Sequence, residues 1–164
     1  MSVDLLHPLV SRRLRELRVD HEVLPCDPVM ADTATFVEAY GLPLDRSANT
    51  IVVASKGAEP SYVACVLLAT TSLEVNNVVR HEMGVRKASF AAAEPVRALT
   101  GMEIGGVTPF GLPDDLPVLV DAKVMDAPWI ILGGGNRSSK LRLAPDALRE
   151  LPAVRILVGL ASVR

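Results

Sequence analysis

Two glycine-rich stretches carry the residue types best suited to chemistry. The first is Gly105-Gly106-Val107-Thr108-Pro109-Phe110-Gly111, with three glycines and one proline in seven residues. Glycine at that density serves a backbone that must take positive φ or admit a close neighbour, and proline pins φ while withdrawing an N–H. A rigid loop of bare amides suits a carbonyl, carboxylate or phosphate oxygen. The second stretch, Gly133-Gly134-Gly135-Asn136-Arg137-Ser138, follows the apolar run Trp129-Ile130-Ile131-Leu132, so it sits where a buried strand ends. The two loops are expected to wall one pocket, although a pair of tight turns with no ligand would use the same residues.

Other polar candidates stand at the ends of predicted strands. Asn49 begins one, Lys56 lies in a turn, Lys87 starts a short strand, and Lys140 follows the second glycine loop. A lysine is by default a solvated surface charge, and Lys140 is the one whose strand leaves the expected pocket. Familiar catalytic signatures are absent from the sequence. His7, His21 and His81 are scattered, with no second metal ligand at turn or helical spacing. No G-x-S-x-G elbow, Walker loop or G-x-G-x-x-G fingerprint occurs. Neither a metal nor a cofactor is expected.

The elements that must position these residues can be read from periodicity. Residues 7–18 predict a helix with Leu6, Val10, Leu14 and Leu17 on one face and Pro8 in its first turn. A short strand over 21–24 and a turn at Cys26-Asp27-Pro28 follow. Asp32 is placed to cap a helix over 33–40, with Phe36, Val37 and Tyr40 inward and Gly41 as its stop. Residues 49–54 and 62–69 read as a hairpin of central strands, and their near-continuous apolar character implies a sheet covered on both faces. Thr71-Ser72-Leu73-Glu74 has the form of a capping box, predicting a helix from there to Gly84. A short strand over 87–90, a helix over 94–99, and strands over 116–120 and 129–132 come next. Residues 140–143 alternate as a half-exposed strand, 145–151 read as a last helix, and 155–158 as an edge strand. The expected fold is one α/β domain spanning 1–164, a mixed and largely buried β-sheet covered by helices.

Composition agrees with that class. Of 164 residues 49% are hydrophobic and 22% charged, too apolar for disorder. With only one Trp, two Tyr and three Phe, the core must be built from Val, Leu, Ile and Ala. A net charge of −2 with no Lys/Arg run argues against binding DNA or RNA through bulk electrostatics, but it leaves room for a local contact to one RNA end. Cys26 and Cys65 belong to no ligand spacing, and Cys65 reads as a small core residue. No apolar run is long enough to span a membrane, and Met1-Ser2-Val3-Asp4 lacks a signal-peptide pattern, so the expected setting is soluble and cytoplasmic.

Taken together, Thr100-Gly101, the 105–111 loop, the strand Leu116-Pro117-Val118-Leu119-Val120-Asp121 and Gly133-Gly134-Gly135-Asn136-Arg137 resemble the YbaK/prolyl-tRNA editing-domain family. The likeness runs from about the second helix to the last and includes the Leu-x-Leu-x-Pro-x-x-Leu pattern from Leu141 to Leu148. The resemblance implies a trans-editing hydrolase that cleaves the ester joining a mischarged amino acid to the 3′ end of a tRNA, often that for proline. Its implied partners are the aminoacyl-tRNA 3′ end and prolyl-tRNA synthetase. In this reading Gly105, Gly106, Thr108, Pro109, Phe110 and Gly111 hold the ester, and Gly133, Gly134, Gly135 and Ser138 line the opposite wall. Candidates to set pocket size are Met30, Phe36 and Val107. One departure matters: family members resemble each other in a lysine where this chain has Asn49. An amide offers hydrogen bonds but no positive charge, and Lys140 or Lys87 could restore it from another strand. The alternative is a non-catalytic module of the same fold that binds a small amino-acid-like ligand or an acylated RNA end.

Overall fold

Apolar strands dominate the middle of the chain, and they form the centre of the fold. The computed structural model describes residues 5–164, so the start at residues 1–4 lies outside it. Helix α1 (Pro8–Leu17) leads into strand β1 (Glu22–Pro25), a 3-10 turn (Pro28–Met30) and helix α2 (Thr33–Tyr40). Strands β2 (Ala48–Ser55), β3 (Tyr62–Leu68) and β4 (Thr71–Leu73) precede a wide helical turn (Val75–Val79) and α3 (Arg80–Met83). Then come β5 (Ala88–Phe90), α4 (Ala93–Thr100), β6 (Val118–Asp121), α5 (Ala122–Met125) and β7 (Ile130–Gly133). The described chain closes with β8 (Ser139–Leu143), a 3-10 segment (Pro145–Glu150), β9 (Val154–Leu157) and β10 (Ala161–Val163).

The main sheet has five strands in the order β5-β2-β3-β6-β9. It is mixed, because β3, β6 and β9 run parallel while β2 is antiparallel to both its neighbours. Alternate residues of a strand face opposite ways, and here both faces are covered. Ala64 and Val66 join the large cluster that includes Val10 and Leu14 of α1, while Val63 and Cys65 pack with Val79, Leu119 and Leu160. Burial pushes the Cys65 thiol up to about 12, as befits an inert core residue.

Several expectations need correction. The strands form three sheets, with β1-β8-β7 and β10-β4 separate from the main one. The apparent capping box is instead strand β4, paired with β10, which sequence reading missed. The Thr71 hydroxyl donates to the Leu68 carbonyl at 2.7 Å, and Glu74 accepts from Ser162 and Asn77, so neither side chain caps a helix. Strand β8 is not half-exposed: it lies between β1 and β7, and its alternation hides a buried lysine. Tyr40 is 43% exposed, its hydroxyl accepting from the Asp27 amide. Asp32 caps no helix amide and turns toward Arg137. The segment read as a last helix is 3-10 throughout.

The two glycine loops pack backbone to backbone. The Gly135 amide donates to the Gly106 carbonyl at 2.7 Å, and the Glu103 amide donates to the Gly135 carbonyl at 3.0 Å. A Cβ on Gly106 would collide with the Asn136 backbone, and one on Gly133 would collide with the Gly106 carbonyl. Substituting Gly106→Ala must part the loops and should cost about 1–3 kcal/mol. Thr108, by contrast, is fully buried with a hydroxyl that finds no partner among the described residues. Thr108→Val should therefore leave stability unchanged or raise it. Urea unfolding of the two variants checks the contrast, which a ligand-presenting role for these loops would not predict.

Candidate functional site

The pairing of β2 is lopsided, and the cavity follows from it. β3 accompanies β2 from Ala48 to Ala54, whereas β5 pairs only with Val53 to Ser55. Beyond β5 the Ala91 amide donates to the Val52 carbonyl, and a single bridge joins Ser47 to Ile131 at the other end. Residues 48–51 are left with one edge that has no strand partner among the described residues. Backbone groups on that side belong to alternate residues; since Val52 and Lys56 face β5's side, so does Thr50. Along this edge lies a cavity of about 310 Å³. Its walls are the start of α2, the edge of β2, Ile104, Gly105 and Val107 of the first glycine loop, and residues of β7 and β8.

Polar residues on the cavity walls include Asp32 and Thr33 at the start of α2, Ser47 and Thr50, and, from two different sheets, Asn49 of β2 and Lys140 of β8. Lys140 is 5% exposed; its ammonium donates to the Ala31 carbonyl at 2.5 Å and lies 5.3 Å from the centre of the Phe36 ring. An ammonium has three donors, so two remain for a ligand. Burial holds its pKa below the ordinary lysine value; the Cys26 sulfur when ionised and the Asp32 carboxylate pull it back up, and Arg137 pushes it further down. Across the cavity, Asn49 Oδ1 accepts from the Thr33 hydroxyl at 2.6 Å. That bond fixes the amide and leaves its NH₂ without a partner among the described residues. Arg137 does not line the cavity but braces its rim: its guanidinium donates to the carbonyls of Pro28 and Ile104 and meets Asp32.

Of the residues read from sequence as site candidates, the structure brings Asn49, Lys140, Gly105 and Gly133 to one cavity. Gly106, Thr108, Pro109, Phe110, Gly111, Gly134, Gly135 and Ser138 do not line it. Gly106 and Gly133 form the contact between loops, and Phe110 is part of the core. Gly111 abuts the backbone of Leu9, Gly134 the side chain of Ser139, and Gly135 the side chain of His7. The Ser138 carbonyl accepts from the Cys26 amide. Phe36 and Val107 line the cavity and Met30 does not; Lys56 and Lys87 are exposed and away from it. The histidines are spread: His7 caps α1, His21 faces the Val19 carbonyl, and His81 sits beside Arg80. Sequence reasoning missed Thr33 and the unpaired β2 edge. The one signal for the edge was the brevity of the strand at Ala88-Ser89-Phe90, too short to cover β2.

The arrangement offers backbone amides, a fixed carboxamide and an ammonium with two donors to spare to one ligand, inside apolar walls that include Phe36, Val96 and Ile104. Such a site suits a carbonyl that gains negative charge. Comparison with known proteins gives the cavity a context. The protein YwhH of Bacillus subtilis (strain 168), itself uncharacterized, is 24% identical over 139 residues, covering 85% of this chain and 86% of that protein. EbsC of Enterococcus faecalis (strain ATCC 700802 / V583), described as a candidate Cys-tRNA(Pro)/Cys-tRNA(Cys) deacylase, is 25% identical over 114 residues, covering 70% of this chain and 68% of its own. A crystal structure described as that of a candidate trans-editing enzyme for prolyl tRNA synthetase aligns with a TM-score of 0.76 at 21% identity, over 93% of this chain and 97% of that one. The structure of hypothetical protein APE2540 aligns with a TM-score of 0.81, also at 21% identity, over 94% and 99%. The family described as the aminoacyl-tRNA editing domain matches residues 27–151, which include every wall of the cavity, and this chain belongs to that family.

Proposed function

We propose that the chain is a trans-editing hydrolase that releases a small, wrongly attached amino acid from the 3′ end of a tRNA, that for proline being the first candidate, in concert with prolyl-tRNA synthetase. The observation that carries this reading is the buried ammonium of Lys140 in the cavity that Asn49 also lines. It supplies from β8 the positive charge that Asn49 cannot. The competing reading, a binding module without turnover, needs no cation near the ester, and Lys140 weighs against it.

The chemistry follows from the groups present. Water attacks the ester carbonyl, a C–O bond forms, and the ester carbonyl oxygen becomes an oxyanion. The Asn49 NH₂, the edge amide of Thr50 and the Lys140 ammonium are the donors available to it. Collapse breaks the bond to the ribose oxygen, which takes a proton derived from the water. No side-chain nucleophile is needed if the substrate's neighbouring ribose hydroxyl orients the water. The apolar walls select by size at about 1–3 kcal/mol per methylene. That favours a small side chain in a cavity of about 310 Å³.

Deacylation of a panel of mischarged tRNAs (Ala, Cys, Ser and Thr on tRNA for proline, with cognate pairs as controls) tests the reading. One amino acid should be released well above the no-enzyme rate, and Lys140→Met should lower kcat about 10²–10³-fold. Because burial depresses the Lys140 pKa, the folded state binds fewer protons than the unfolded chain from that depressed value up to the ordinary one. Stability contributed through this group therefore rises with pH across that window and is unfavourable below it. Lys140→Met should accordingly be as stable as the wild type at pH 7 or more stable, by up to about 4 kcal/mol. Activity has the opposite slope, since kcat/KM falls as the ammonium deprotonates. Its alkaline loss should begin below the ordinary lysine pKa. No release from any pair, with the protein folded, would favour the binding module.

Thr33, which also lines the cavity, acts through Asn49 in this scheme and is a positioning residue. Thr33→Val should reduce kcat about tenfold, the worth of one hydrogen bond, with little change in KM. Thr33→Ser should restore it. Equal losses in both variants would assign Thr33 a packing role instead.

A further inference from the structure

Beside the cavity lies a cationic cluster that the scheme above leaves unused. Trp129, the chain's single tryptophan, is approached by two guanidiniums, with Arg142 Cζ 4.2 Å and Arg46 Cζ 5.1 Å from the ring centre. All three residues are half-buried. Two like charges on one indole repel each other, yet neither arginine has an ion pair among the described residues. Glu22, opposite Arg142 in the β1–β8 ladder, makes none with it, and the exposed Asp45 makes none with Arg46. One terminal nitrogen of Arg46, Nη1, is buried and finds no hydrogen-bond partner there.

The cluster is continuous with the cavity. Arg46 directly precedes Ser47, and Ser47 bridges Ile131; both bridged residues line the cavity. Ile131 pairs with Arg142, and Gly133 pairs with Lys140. Alternation therefore puts Trp129, Ile131, Arg142 and Lys140 on one face of the three-stranded sheet. Arg142 follows Lys140 by two residues, roughly 7 Å along the strand. A row of positive charge thus leads from the cavity to the Arg46–Trp129–Arg142 cluster.

We infer that this cluster is the docking surface for the single-stranded RNA that carries the acylated ribose, its arginines taking phosphates of the nucleotides just before the terminal one. The inference rests on the deacylase reading for the direction in which the strand leaves the cavity. The chemistry selects RNA. Planar guanidiniums bind phosphate through two parallel hydrogen bonds and stack on flat rings, as both do here on Trp129. A phosphate would also relieve the repulsion between the arginines. It reconciles a net charge of −2 with RNA capture, because the contact is local.

The test uses an uncharged RNA oligonucleotide ending in CCA, followed by fluorescence anisotropy and by Trp129 emission, the chain's only indole signal. Wild-type emission should change and saturate with the same Kd as anisotropy. The double variant Arg46→Gln, Arg142→Gln should bind at least tenfold more weakly, and its slope of log K against log salt should shrink by about 1.4, the value for two lost phosphate contacts on a single strand. The double variant Arg46→Lys, Arg142→Lys keeps charge without the planar fork and should fall in between. If the glutamine variant fails to fold, the lysine variant and the wild-type emission decide. On an aminoacyl-adenosine, which lacks the preceding nucleotides, turnover should be the same in all three proteins. RNA binding within twofold of wild type in both variants, or saturating binding with unchanged Trp129 emission, would overturn the surface even with deacylation intact. Loss of RNA binding in a protein that hydrolyses no ester would leave the surface standing and remove the deacylase reading alone.

Discussion

A buried ammonium held by one carbonyl is the interaction around which the site is built. Lys140 gives up most of its hydration, and its compensation is the Ala31 carbonyl, the face of Phe36 and the attraction of the Asp32 carboxylate. Desolvating a charge costs several kcal/mol after relaxation, so an arrangement of this kind is poor for stability and needs another reason to exist. A ligand that brings negative charge supplies one, since it meets the two donors left over. The placement of Lys140 also requires β8 to be the middle strand of its sheet, because only there is a side chain carried inward with its backbone paired on both sides.

Much of the remaining architecture keeps that lysine and Asn49 facing the same space. The glycine loops lock to each other through backbone contacts, which sets the distance between the first loop and β7. Arg137 ties the 3-10 turn before α2 to the first loop, so the helix bearing Thr33 and Phe36 cannot drift from the sheet that carries Lys140. The short β5 leaves the edge of β2 open, and the Ser47–Ile131 bridge stops the gap from running on. Glycine thus shapes the site through close packing, and it is the open edge of β2 that lies along the cavity.

Elements with strong periodicity or clear punctuation were legible in the sequence. The helix over Thr33–Tyr40, the apolar hairpin and the two-sided burial of its strands follow from residue types alone. What escaped depended on partners distant in sequence. Thr71 to Glu74 satisfies a capping box locally, but pairing with Ala161–Val163 wins because it completes a two-stranded sheet. Lys140-Leu141-Arg142-Leu143 alternates like a half-exposed strand, and no local signal says that Lys140 is covered by Phe36 of α2. The glycine loops border the cavity, yet composition cannot tell a loop that presents amides from one that accepts another backbone. Family likeness located Asn49 as a departure; only the fold could bring a second strand's lysine to the same cavity.

The most direct test of the central claim is an exchange of charge across the cavity. In the double variant Asn49→Lys, Lys140→Met the ammonium moves from β8 to β2 and the number of charges in the cavity is unchanged. Deacylation kinetics with the best mischarged tRNA would be compared among this protein, Lys140→Met and the wild type. If the cation serves the ester from either wall, the exchange should recover at least tenfold of the activity that Lys140→Met alone loses. A double variant that folds and binds RNA but is no more active than Lys140→Met would contradict the account, because the role of Lys140 would then not be that of a charge moved from one strand to another.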